Sequence, residues 1–192
     1  TPGSPLSASH LTDLRLAHRR SRPLRRAARV ASLSGWSTLL LGLAAAPFAI
    51  GDLRTLALSL ALIAIGFNEL CARRALQRFE INAPMRLALS QLMLGGVLIG
   101  YAVLNIADLG PITLSSNPLD ASLIQGGGVD QEAIESMTRA VSAAVYVGLI
   151  IGTVLFQGST AIYYLTRGLS LRRFLGTTPG WVIDTMHALR AL

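Results

Sequence analysis

The segment from Thr55 to Ile106 constrains the fold most, because it holds two long apolar stretches joined by a short basic turn. Residues 55–71 carry no charge before Glu69, and residues 87–106 carry none. A helix of a water-soluble core keeps a polar face, whereas these stretches are apolar nearly all round over about the 20 residues that cross the hydrocarbon of a bilayer. The segment is therefore predicted to be a membrane-spanning hairpin.

Two further apolar stretches flank this hairpin, and a chain that is 52% hydrophobic and only 14% charged fits a polytopic membrane protein. We predict an all-α integral membrane protein with four transmembrane helices in an antiparallel bundle, flanked by N- and C-terminal amphipathic interfacial helices. The predicted spans are residues 30–50, 55–71, 87–107 and 137–165, with an Arg-rich cytoplasmic segment at 1–29, an outer loop at 108–136 and a basic cytoplasmic tail at 166–192.

Local signals predict several of the helix ends. Pro47 removes a backbone donor and should bend or end the first span. Pro84 suits the first turn of the third helix. Asp130 can cap the fourth helix, with Glu132 and Glu135 in its opening turns, where acidic side chains favour the helix dipole.

Arginine is distributed unevenly between the two sides of the membrane in this predicted topology. Seven arginines precede the first span, four lie between the second and third spans and four lie in the tail, against only Arg54 and Arg139 on the other side. The positive-inside rule then places both termini in the cytoplasm of a bacterial-type inner (plasma) membrane. A cleaved signal peptide is the rival interpretation of the N-terminal region, but the apolar run continues past the small residues 44–46 and Pro47 would follow the cut directly.

Basic and aromatic side chains beside the spans are predicted to bind anionic lipid headgroups. These residues are Arg19, Arg20, Arg25, Arg26, Arg73, Arg74, Arg172, Arg173 and Trp181. Because topology and lipid already explain the arginines, a nucleic-acid partner is not predicted.

Small residues at four-residue spacing are predicted to be helix-packing faces. They are Gly96 and Gly100 in the third span, and Ala144, Gly148 and Gly152 in the fourth. Such faces stabilise helix pairs in lipid through close backbone approach. The partner is either the other span of the same chain or another subunit, including a second copy of this chain.

Polar side chains recur near the cytoplasmic half of the spans, namely Asn68, Glu69, Gln91 and Gln157. One interpretation is a polar vestibule or proton-accessible site in which Glu69 titrates. The alternative is structural: Glu69 pairs with Arg73 four residues on, and the amides bridge helices by hydrogen bonds.

Catalytic motifs are missing from the sequence. The histidines at 10, 18 and 187 have no metal-ligand spacing, and the sequence has no phosphate-binding loop, nucleophile elbow or intramembrane carboxylate pair. We therefore expect no catalytic residue, no metal site and no cofactor. The predicted function is that of a non-catalytic accessory or scaffold subunit of a larger membrane assembly.

The alternative function is an ion channel or small-solute transporter that acts as an oligomer. A shift of 56 positions lays Asp52-Leu53 over Asp108-Leu109 and Leu33-Ser34 over Leu89-Ser90. This match suggests a duplicated helical hairpin, an arrangement found in some transporters.

Overall fold

Helices make up nearly all of the chain that the computed structural model describes, which is residues 7–109 and 131–191. In chain order they are α1 (Ala8–Arg20), α2 (Arg22–Ala45), α3 (Leu53–Gln77), α4 (Ala83–Asp108), α5 (Gln131–Thr177) and α6 (Gly180–Ala191), with a 3-10 turn at Ala46–Ala49. Neither described range contains a β-strand. The predicted all-α class is confirmed for this part of the protein.

Four of these helical segments are long and apolar enough to cross a membrane. They cover Arg22–Ala49, Leu53–Gln77, Ala83–Asp108 and Ile134–Thr177, and their most apolar windows have mean hydropathies between 1.3 and 1.9. These helices indicate a membrane location, as the sequence predicted.

The helix bounds differ from the predicted spans at both ends of the chain. α2 begins at Arg22, so it includes arginines that the prediction placed in a separate N-terminal segment. α5 begins at Gln131, six residues before the predicted start of the fourth span at 137, and its 47 residues continue well past the predicted end at Leu165. At 1.5 Å per residue α5 is about 70 Å long, more than twice a hydrocarbon thickness of about 30 Å. The rest of the predicted outer loop, including Asp130, lies outside the described residues.

Local chemistry explains several of the observed helix ends. α2 ends at Ala45, and the chain passes through a 3-10 turn that contains Pro47. The Asp52 carboxylate then caps α3, because it accepts the backbone N–H groups of Arg54 at 3.0 Å and Thr55 at 3.2 Å. Pro84 lies in the first turn of α4, where its missing N–H costs no hydrogen bond.

Consecutive long helices pack as antiparallel pairs. Gly35 faces Leu70 and Gly42 faces Ile63, so residue numbers rise along α2 as they fall along α3. α4 and α5 pack in the same sense, with Gly95 near Gln157. α3 also packs against α4, whereas α2 touches α5 sparsely. The N-termini of α2 and α4 therefore lie beside the C-termini of α3 and α5, and we call this the arginine-rich end.

Three glycines that the sequence analysis did not single out allow the closest helix approach. A Cβ atom on Gly66 would lie 2.7 Å from the backbone nitrogen of Leu39, and one on Gly42 would lie 2.9 Å from that of Ile63. A Cβ atom on Gly35 would lie 3.1 Å from the side chain of Leu70. At Gly66 and Gly42 only glycine fits the backbone contact without displacing a helix, and at Gly35 a Cβ atom would press on side chains, so all three allow α2 to pack closely on α3.

The predicted packing faces on α4 and α5 do not make these contacts. A Cβ atom on Gly96, Gly100, Gly148 or Gly152 would have no neighbouring atom within 4 Å, and Ala144 is exposed. The prediction that α4 packs on α5 through these residues is therefore wrong. The α4–α5 contact instead uses Gly95, whose Cβ position lies 3.5 Å from Gln157 and 3.7 Å from Thr153.

The largest apolar cluster of the described residues lies at the arginine-rich end. It joins α2, α3, α4 and α5 to the terminal helices, and Phe79 and Phe174 pack in it with ring centroids 5.1 Å apart. Val182 and Met186 of α6 are buried in it, and the Trp181 ring contacts that of His10 on α1 at 4.9 Å. The apolar face of α6 thus packs on the other helices of the protein. The sequence had predicted that α6 lies on the membrane surface.

Candidate functional site

The candidate site is a buried polar layer of three side chains, Ser34 on α2, Glu69 on α3 and Gln91 on α4. Gln91 Nε2 donates a hydrogen bond to Glu69 Oε1 and another to Ser34 Oγ at 3.3 Å. Glu69 and Gln91 are both completely shielded from solvent. The Gln91 amide therefore ties three helices together through one nitrogen.

Helix periodicity places this layer between two apolar clusters. Ala72 and Leu76 follow Glu69 along α3 in the cluster of the arginine-rich end, whereas Ile65 and Leu62 precede it in a second, smaller cluster. On α4, Gln91 is likewise followed by Leu94 of the smaller cluster. Residues three or four apart share a helix face, so the polar side chains point to the same interior as the leucines.

Glu69 does not make the ion pair predicted from its spacing. The described ion pairs are those of Arg54 with Asp108 and Arg139 with Glu135, and Arg73 is not joined to Glu69. In the structural alternative, the predicted pair of Glu69 with Arg73 is thus wrong, whereas an amide, that of Gln91, does bridge helices by a hydrogen bond. A buried carboxylate without a cation beside it is costly, so its hydrogen bond from Gln91 must carry much of the compensation.

Several polar atoms in and beside the layer have no hydrogen-bond partner among the described residues. They are Glu69 Oε2, Gln91 Oε1, the Ser90 hydroxyl and the hydroxyl of Tyr164, which lies near Glu69. Most buried polar groups in proteins are paired, and an unpaired one costs about 1–3 kcal/mol. The unpaired oxygens of Glu69 and Gln91 are acceptors, so a proton, a water molecule or a small cation is the kind of group that could satisfy them.

A cavity of about 580 Å³ lies along α2 from Val30 to Ala45, and Ser34 is the one member of the layer in its lining. Ser34 lines it beside the layer, Leu62 and Leu94 line its middle and Ala45 lies in its wall near the far end of α2. Gln157 of α5 also lines it, and its buried Oε1 has no hydrogen-bond partner in the described part of the chain. The cavity is thus apolar along most of its length and polar at one end.

The residues predicted for a polar vestibule are only partly brought together. Glu69 and Gln91 are in direct contact, and Gln157 reaches the cavity that Ser34 lines. Asn68 is exposed on the outside of α3 and takes no part. Ser34, the third member of the layer, was missed, because a lone serine in an apolar span carries no pattern.

Small residues of α3 and α4 line a separate groove of about 430 Å³ away from the arginine-rich end, and Arg54 and Tyr101 are also in its lining. Ala57 and Ala61 contribute from α3, and Gly96 and Gly100 contribute from α4. The sequence analysis identified the glycine pair but missed the alanine pair, which has the same four-residue spacing.

The predicted lipid-contacting residues divide into two groups. Most of the arginines have exposed side chains: Arg19, Arg20, Arg26, Arg74, Arg172 and Arg173. Arg25 and Arg73 are half-buried between α2 and α3. Trp181 is 38% exposed beside His10.

Within residues 7–109 and 131–191, no three His, Cys, Asp or Glu side chains lie close enough together to hold a metal ion. No protein-family model, no curated protein and no solved structure matches this chain.

Proposed function

We propose that this protein is a non-catalytic polytopic membrane protein that serves as an accessory or scaffold subunit of a larger membrane assembly. In this proposal the four long helices form an antiparallel bundle in a bacterial-type inner membrane, with both termini in the cytoplasm. The observation that carries it is the small-residue groove between α3 and α4, which the described helices leave open.

The groove has the composition of a helix-packing surface. In lipid, helices gain little from burying apolar side chains, and close approach of their backbones supplies the stabilisation instead. Within the chain, α2 and α3 approach each other closely in this way at Gly35, Gly42 and Gly66. Gly96 and Gly100 offer the same device outward, with Ala57 and Ala61 beside them. We infer that an apolar helix of a partner subunit packs there.

A second small-residue face supports the scaffold role. Ala144, Gly148 and Gly152 are exposed on α5, and Gly152 lines a shallow groove of about 730 Å³ against Val30 of α2. Two such faces allow one subunit to contact two partner helices. The arginine asymmetry between the ends supports the proposed orientation.

Purification in mild detergent after cross-linking in membranes tests this proposal. Gly100→Leu should abolish recovery of cross-linked partner chains, because the new side chain fills the groove. Gly158→Leu is the matched control, since a Cβ atom there also has no neighbour within 4 Å but lies outside the groove. If the wild-type chain is recovered only as a free monomer, or if both variants behave alike, the scaffold proposal fails.

The polar layer favours the second candidate, an ion channel or small-solute transporter that acts as an oligomer. Glu69 and Gln91 supply a polar site, and Ser34, which accepts a hydrogen bond from Gln91, lines the neighbouring cavity together with Gln157. Flux into liposomes decides this candidate. If the protein is a transporter, the Glu69→Gln and Gln91→Met variants should lose flux. If liposomes that contain the wild-type protein are no more permeable than empty liposomes, the transporter candidate is excluded.

A further inference from the structure

Three arginines line a pocket between α2 and α3 at the arginine-rich end. Arg25 and Arg29 are one helical turn apart on α2, and Arg73 faces them from α3 around a cavity of about 490 Å³. The apolar part of the lining includes Leu24 and Leu76. The lining of this pocket thus contains three arginines from two helices, of which Arg25 and Arg73 are half-buried and Arg29 is exposed.

The charges of these arginines are not balanced within the pocket. None of the residues that line it is acidic. Arg25 instead places its Nη2 2.8 Å from Nδ1 of His18, and the buried Nε atoms of Arg25 and Arg73 have no hydrogen-bond partner among the described residues. Glu69, one turn before Arg73, is turned into the polar layer and bonded to Gln91.

A buried N–H donor without an acceptor is unfavourable, and clustered cations raise that cost. An anion in the pocket would accept hydrogen bonds from the unpaired donors and would balance the clustered positive charges. The oxygens of a phosphate group point in several directions and match guanidinium donors that arrive from two helices, whereas a carboxylate offers two oxygens in one plane. The pocket volume also leaves room for the group that bears the phosphate.

We propose that Arg25, Arg29 and Arg73 form a binding site for a phosphate group, carried either by an anionic phospholipid headgroup or by a small phosphorylated solute. The site is a defined pocket and so differs from the general attraction of basic side chains to an anionic surface. It is independent of the proposed scaffold role, because the small-residue groove lies elsewhere on the molecule.

The experiment uses the full chain in nanodiscs of phosphatidylcholine, with or without phosphatidic acid, and counts retained lipids by native mass spectrometry. The pocket variant is Arg29→Gln with Arg73→Gln. Its matched control is Arg26→Gln with Arg74→Gln, which removes the same charge from neighbouring positions of the same helices, outside the pocket. A parallel arm adds inorganic phosphate to phosphatidylcholine nanodiscs and measures its binding by calorimetry.

The pocket variant should lose affinity for the phosphate-bearing probe by at least about tenfold, which corresponds to the loss of one charge-assisted hydrogen bond. The control should change by less than about threefold, as expected for a screened surface charge. Arg29→Lys with Arg73→Lys keeps the charge but loses the forked donors, and should fall between the two. Unchanged thermal unfolding in phosphatidylcholine nanodiscs shows that the variants are folded.

If phosphatidic acid is retained but inorganic phosphate does not bind, the ligand is a lipid headgroup. If inorganic phosphate binds, the site is open to free solutes. Either result supports the shared chemistry. Equal losses in the pocket and control variants, or no binding by the wild-type chain in either arm, would overturn the proposal.

Discussion

Gly66 of α3 lies directly against the backbone of Leu39 on α2, so that a Cβ atom on Gly66 would be 2.7 Å from the Leu39 nitrogen. Backbone cannot move aside as a flexible side chain can. We therefore predict that Gly66→Ala destabilises the folded protein by about 1–3 kcal/mol, the usual cost of overpacking. Unfolding in detergent micelles measures this. Gly148→Ala is the control, because its Cβ atom meets nothing within 4 Å, and an equal loss in both variants would contradict the prediction.

The hydrogen bond from Gln91 to Glu69 supports a second prediction, because each partner compensates the burial of the other. Gln91→Met keeps the shape of the side chain but leaves Glu69 without its donor, so it should lower the free energy of unfolding by about 1–3 kcal/mol. The double variant Glu69→Met/Gln91→Met removes both partners and should be more stable than Gln91→Met alone. A double-mutant cycle in micelles measures the coupling.

Asn68→Met is the control for this cycle, since Asn68 is exposed one residue before the buried carboxylate. It should leave the free energy of unfolding unchanged. Additive losses in the double variant would show that the two side chains do not act as a pair.

The cap of α3 predicts a dependence of stability on pH. Hydrogen bonds from the Thr55 hydroxyl and the Arg54 backbone N–H hold the pKa of Asp52 below its ordinary value of 3.8. A carboxylate whose pKa is lowered by folding stabilises the protein above its unfolded pKa, and this contribution is lost as the pH falls through the lowered value. Wild type should therefore exceed Asp52→Ala in thermal midpoint at about pH 6, and the difference should shrink below pH 3.8. Asp52→Asn keeps a capping oxygen without titrating and should show no such trend.

The proposed orientation predicts which positions an impermeant maleimide reaches. In a Cys71→Ala background, Ile50→Cys should react in intact spheroplasts, because Ile50 is 89% exposed between α2 and α3 at the proposed outer end. Glu80→Cys, exposed between α3 and α4, should react only after permeabilisation. The reverse pattern would contradict the assignment of both termini to the cytoplasm.

Length and hydropathy were enough to predict four apolar helices, because the cost of leaving backbone groups unpaired in lipid permits little other than helix in such stretches. Pro47 and Pro84 acted as expected, since a missing N–H has the same effect in any tertiary context. The end of α5 was placed too early at Leu165. Residues 166–178 contain no proline, and basic side chains alone do not end a helix.

The sequence could not show which faces of the spans meet. Leucine suits lipid and protein interior equally, so an apolar span has no periodicity that separates Gly66, which is buried, from Gly96, which is exposed. The candidate site was predicted in part for a similar reason. Glu69 and Gln91 are conspicuous because they are polar in apolar helices, but their contact with Ser34 depends on how α2, α3 and α4 pack. The pairing of Glu69 with Arg73 considered only one helix, and the neighbouring α4 supplied a closer partner.

The uneven distribution of buried apolar residues has a mechanical consequence. At the arginine-rich end the terminal helices and the four spans share one cluster, whereas toward the other end the described buried cluster is the small one around Leu62, Ile65 and Leu94. The ion pair of Arg54 with Asp108 crosses that far end, but both side chains are about half exposed, so it adds little resistance. Thermal motion should therefore splay the helices first at the end that carries Asp52 and Asp108. Any molecule that slips between them would then enter at that end, where Ala45 lies in the wall of the cavity that Ser34 also lines.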